Sequence, residues 1–283
     1  MLQDRWSSPC ISFSDFTKLH EHPKTLELAL YAARNDAKQR IEDDLSGANE
    51  RFSEEIRQKL EEYREYLRLL EEIHLKYLLR INPLKNKTPL AAAYLLFARI
   101  INLLRMGCVC LEASYWNTGA VIRQIDEAIQ VAEYFSSEST PALKRDVTRW
   151  FQENRSPNPS EMRKADAARV GVDLGSEKAE RHLYLINDLY DLKSKWIHPT
   201  FSPIRETLQI QLQDGEAVVT GFDYGPSTYP RKLHELTLFY RSSIWTAVQG
   251  FVMCFQQQIP LDDIDSDRLH ALNRKFTEEP DGL

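Results

Sequence analysis

The chain has 283 residues, 42% hydrophobic and 28% charged, with a formal net charge of −6. That balance is ordinary for a globular protein, and the negative sum excludes a chain that holds nucleic acid by bulk positive charge. Only 10 Gly and 13 Pro are present, which argues against a strand-and-turn architecture. The expected fold is mainly α: a helical bundle with a long N-terminal helical hairpin and one small β-hairpin insertion.

The first segment, MLQDRWSSPC, lacks the basic start and apolar run of a signal peptide. His20-Glu21-His22 precedes Pro23 in an expected loop, and neither a metal nor a cofactor is expected. From residue 24 to 45, Leu26, Leu30, Ala33, Ala37, Ile41 and Leu45 recur at helical spacing, and Ser46-Gly47 closes the helix. From 50 to 81, Phe52, Ile56, Leu60, Tyr63, Leu67, Leu70, Ile73 and Tyr77 form a second stripe with charged residues on the other faces. The two segments predict an antiparallel hairpin as an N-terminal unit, 1–82, which packs on itself or offers a partner or dimerisation surface.

Asn82-Pro83 and Thr88-Pro89 bracket a break. A bundle is expected over 89–258. Its first helix, about 89–115, is the most apolar stretch, but Arg99 and Arg105 interrupt it short of the roughly 20 apolar residues a membrane span needs. No membrane association is expected. Cys108 and Cys110 have the wrong spacing for a zinc site and should pack as small hydrophobes. Without a disulfide framework the expected compartment is a reducing cytoplasm. A helix at about 118–136 points Ile122, Ile125, Ile129 and Ala132 inward.

The stretch 144–169 is locally basic. Lys144, Arg145, Arg149, Arg155, Arg163, Lys164 and Arg169 outnumber Asp146, Glu153, Glu161 and Asp166, and Trp150 and Phe151 lie among them. It reads either as a solvated charged linker or as the one local patch suited to RNA. Leu208, Ile210 and Leu212 then alternate with polar residues, Asp214-Gly215 supplies a turn, and Val218 to Phe222 return as a second strand. A long helix at about 229–258 carries Leu233, Leu236, Phe239 or Tyr240, Ile244, Ala247 or Val248, Phe251 and Phe255. A short acidic helix and a frayed tail are expected over 259–283.

The phosphate-cradling glycine loops G-x-x-x-x-G-K and G-x-G-x-x-G are absent, as is the nucleophile elbow G-x-S-x-G. Two polar clusters remain. In LYDLKSKWIHP, Pro199 ends a helix at His198, whose protonated form the helix C-terminus favours. Ser194 and Tyr190 lie one and two turns back on nearly the same face, and Lys193 and Lys195 flank Ser194. An imidazole beside cations can do acid–base work on a phosphodiester. The plainer reading has His198 cap its own helix and pack on Trp196. In VIRQIDEAIQVAEYF, Arg123 and Glu127 stand at i, i+4 with Asp126 beside them, either as a surface ion pair or as part of a site.

An Arg-x-x-x-Glu helix followed by a helix ending in LKSKWIHP resembles the HEPN superfamily, notably its branch of uncharacterised bacterial helical proteins with an L-S-x-x-x-H-P-like helix end. The resemblance covers about 90–200, or to 257 with the last long helix. It implies a helical bundle, a homodimer, and a metal-independent ribonuclease of a toxin–antitoxin or phage-defence system. Carried over, His198 is the acid–base group and Lys193 the phosphate contact. Arg123 and Glu127 support them, and Tyr190, Ser194 and Lys195 line the substrate side. Lys193 stands five residues before His198, where the family has arginine; it keeps the charge without the planar fork. The expected function is therefore RNA-acting and HEPN-like. The alternative is a non-catalytic helical interaction or dimerisation module whose partner binds the 24–81 hairpin.

Overall fold

The structure is a computed structural model. It describes residues 35, 38–39, 42–43, 46–83, 85–115, 118–137, 140–162, 165, 208–213, 216–222, 230–255 and 262–278. Among these are seven helices and one β-hairpin, so the mainly α expectation holds.

Helix α1 spans Ala48–Lys76 and a one-turn helix, α2, spans Leu78–Ile81. Gly47 precedes α1 at φ 69, in the left-handed region where a side chain would be strained. The Ser46-Gly47 stop expected from the sequence is thus also the entry to α1. Helices α3, Pro89–Glu112, and α5, Pro141–Glu153, begin alike. In each, a Thr-Pro pair places the proline in the first turn. The threonine hydroxyl accepts the third residue's amide: Thr88 from Ala91 at 3.2 Å, Thr140 from Leu143 at 3.1 Å. Asn82 and Asn154, both left-handed, close α2 and α5. Helix α4 is Thr118–Phe135, α6 is Pro230–Phe255 and α7 is Asp263–Glu278. Helix α7 is longer than the short element expected and takes in Thr277 and Glu278 of the expected tail.

Strands β1, Leu208–Gln213, and β2, Glu216–Phe222, pair antiparallel from Leu208↔Phe222 to Gln213↔Glu216. A register shift between Gln209 and Ile210 marks a bulge.

The core is continuous across α1, α3, α4, α5, α6 and α7. Along α1 the expected stripe from Ile56 to Tyr77 is buried, and it packs on α3 and α6. Tyr63 lies 5.7 Å from Tyr240 of α6, centroid to centroid, and its hydroxyl donates to the Thr237 carbonyl. The face of α1 that could have served an external partner is therefore covered by α3 and α6. Its proposed hairpin mate, 24–45, lies almost entirely outside the described residues. On α6 the core takes Tyr240 rather than Phe239, and takes both Ala247 and Val248.

The apolar helix α3 is long and apolar enough to cross a membrane. In this fold it is a central helix, with Ala91, Ala92, Ala93, Ile100 and Leu104 buried and Arg99 and Arg105 on the outside. Cys108 and Cys254 are buried and Cys110 half-buried. Burial pushes the Cys108 and Cys110 thiols up, away from the reactive thiolate.

Candidate functional site

Of the residues expected to form a site, Arg123 and Glu127 are described. Tyr190, Lys193, Ser194, Lys195 and His198 lie outside the described residues, as does His20-Glu21-His22.

Arg123 sits in the second turn of α4, between Ile122 and Ile125, which face the core. Among the described residues it is the largest fully buried side chain, only 1% exposed. Its guanidinium meets the Glu127 carboxylate at 2.7 Å, and Glu127 is 47% exposed. The surface ion pair read from i, i+4 spacing is thus half wrong: the acid reaches solvent and the arginine does not. Desolvating a guanidinium costs several kcal/mol unless charge and hydrogen bonds compensate it. The Glu127 carboxylate supplies the opposite charge. The arrangement holds a cation rigidly inside the bundle with one anionic edge facing out. It suits orienting a neighbouring group rather than gripping a phosphate in solvent.

A second polar pair joins α4 to α5. The Tyr134 hydroxyl donates to Asp146 at 3.0 Å, and Arg145 meets the other Asp146 oxygen at 3.3 Å. Burial and the adjacent carboxylate push the Tyr134 hydroxyl up to about 12, so it remains a donor at any physiological pH. On the outer face of α5, Lys144 and Arg145 are exposed and Arg149 partly so, while Glu153 meets both Arg149 and Arg155 at 3.6 Å. Trp150 and Phe151 are half-buried. Trp150 packs edge-on against Phe135 and Phe151, with centroids 5.8 and 4.9 Å away. They anchor α5 to the core and are not open stacking platforms for bases. The described part of the basic stretch, 144–162, thus presents its charges on the outer face of α5 while its two aromatics pack inward.

One buried titratable group escaped the sequence reading. His74 on α1 stacks on Tyr94 of α3, centroids 3.9 Å apart and nearly parallel. Its Nε2 lies 2.9 Å from the Tyr94 carbonyl, so that nitrogen carries the proton, and the Tyr94 hydroxyl donates back to the His74 carbonyl. The signal was available: His74 adjoins Ile73 and precedes Tyr77 by three on the inward stripe. Burial pushes its pKa below the ordinary 6.5, because charging it there costs solvation.

The unfolded chain therefore takes up a proton at higher pH than the folded one. His74's contribution to stability is complete above about 6.5 and is lost as pH falls through the folded pKa. Urea midpoints of the wild type are expected to drop between about pH 7 and about pH 5 more steeply than those of His74→Gln, which keeps a donor but cannot charge. Parallel profiles for the two proteins would refute this role.

Among the described residues no group of three His, Cys, Asp or Glu side chains is placed to hold a metal. Comparison of the chain with protein-family models, curated proteins and solved structures gives no match.

Proposed function

We propose that this chain is a HEPN-like protein that acts on RNA, as a metal-independent endoribonuclease of a toxin or phage-defence system, working as a homodimer. His198 is the acid–base group, since imidazole can move a proton to or from a phosphodiester oxygen near neutral pH. Lys193 is the phosphate cation, and Tyr190, Ser194 and Lys195 contact the substrate. Arg123 and Glu127 are positioning residues on α4. The observation that carries the reading is the buried Arg123 guanidinium with its outward carboxylate partner. The buried face of this helix is otherwise Val121, Ile122, Ile125, Ile129 and Ala132, which does not need a charge to fold, and a charge retained there at such cost points to a site.

The alternative, a non-catalytic module docking through the 24–81 hairpin, has less to stand on, because the α1 stripe is already covered from within.

The test is expression of wild type and His198→Ala in a bacterium, with total RNA examined. Growth arrest and RNA cleavage by wild type alone are expected. Intact RNA from purified wild-type protein incubated with total cellular RNA would turn the reading towards the module.

A further inference from the structure

We propose that the turn joining α1, α2 and α3 is a docking surface for an anionic lipid bilayer. Leu75, Leu78 and Leu79 lie at helical i, i+3, i+4 spacing on one outward face, and they are 58%, 40% and 90% exposed. Beneath them Tyr77 and Ile81 point the other way and are buried, so the leucines stand on a rigid base.

The following loop is equally well held. Lys85 and Asn86 donate their backbone amides to the Asn82 carbonyl, at 3.1 Å each, and the Asn86 side chain donates to the Ile81 carbonyl at 3.1 Å. That loop presents Lys85 and Lys87, both exposed, next to Arg80. Arg80 lies over the Tyr77 ring at 5.3 Å. Among the described residues none of these three cations has an acidic partner, whereas Lys76 is taken up by Asp262 and Asp265 of α7.

The sequence supports this local polarity. Between Glu72 and Glu112 there is no Asp or Glu at all, in a chain of net charge −6. Asp262 and Asp265, at the start of α7, take up Lys76 beside Leu75, so charge alone does not define the surface and the leucines share the role. Projecting leucines with Arg80, Lys85 and Lys87 in the same short segment are the chemistry of interfacial lipid binding, where apolar side chains enter the headgroup region and cations meet anionic lipid. Three leucines fall well short of the roughly 800 Å² a side that a stable protein interface buries. This is a surface contact and involves no membrane span.

The test is flotation of the full chain with vesicles of phosphatidylcholine containing phosphatidylserine, and with phosphatidylcholine alone. Binding is expected to need phosphatidylserine and to weaken with salt. It is expected to fall roughly tenfold or more in Leu75→Ser/Leu79→Ser and in Lys85→Ser/Lys87→Ser. All four side chains face outward, so thermal melts should show both variants folded. Failure of folded wild type to float with phosphatidylserine vesicles would overturn the proposal. So would flotation unchanged in both variants. Loss of self-association in the leucine variant, with no lipid binding by wild type, would assign the surface to a second copy instead.

Discussion

Arg123→Ala is expected to lower the unfolding free energy by about 2–5 kcal/mol, while Arg123→Met should stay within about 1 kcal/mol of wild type or exceed it. Alanine removes a long buried stem and leaves a cavity in the second turn of α4. Methionine refills most of that volume and removes the desolvation cost of a guanidinium that is 1% exposed. The acid left behind, Glu127, is half-exposed and can return to water. Urea melts of the two variants measure this directly. If the charge is kept for positioning, Arg123→Met should also lose growth arrest and RNA cleavage while remaining fully folded. A methionine variant as unstable as the alanine one would mean that the charge itself holds the fold, and the positioning role would lose its support.

Gly107→Ala should cost about 1–3 kcal/mol, although alanine is the better helix former by about 1 kcal/mol. A β-carbon at Gly107 would stand 2.5 Å from Cε2 of Tyr240. The ring cannot move aside cheaply, being fully buried, with its hydroxyl donating to the Leu104 carbonyl and meeting the Cys108 sulfur at 3.2 Å. Gly107 therefore sets how closely α3 and α6 approach. In a Tyr240→Leu background the same glycine substitution should be neutral or stabilising, giving a coupling of about 2 kcal/mol in a double-mutant cycle. Equal costs in both backgrounds would show that the contact is not what makes Gly107→Ala unfavourable.

The sequence was legible wherever one physical signal dominated. The α1 stripe, the Thr88-Pro89 start of α3, the Gly47 turn and the β-hairpin all follow from spacing or from a residue with a single preferred geometry. Where two readings met the same spacing, only packing decided. Phe239 and Tyr240 are adjacent on α6, and the sequence offers either to the core. Tyr240 is taken because its hydroxyl finds the Leu104 carbonyl and Gly107 leaves room for its ring. Arg123 and Glu127 were legible as a pair but not as a buried one, because i, i+4 spacing states which residues meet and not what covers them.

The same division separates the two ends of the functional reading. Residue types and order at 190–198 supply the acid–base and phosphate-binding groups named in the RNA-acting proposal, and that part is read from local sequence alone. The burial of Arg123, the stacking of buried His74 on Tyr94 and the exposure of Leu75, Leu78 and Leu79 are non-local. Leu75 and Ile73 look alike in the sequence, two apolar residues two positions apart. Ile73 is buried and Leu75 open because α3 and α6 pack against one side of α1 and leave the other to solvent. Sequence alone determined that this chain is mainly α and where several of its helices begin, because caps, breakers and periodicity act within a few residues. Tertiary structure decided which charges and which apolar side chains face water, because burial is set by neighbours distant in sequence.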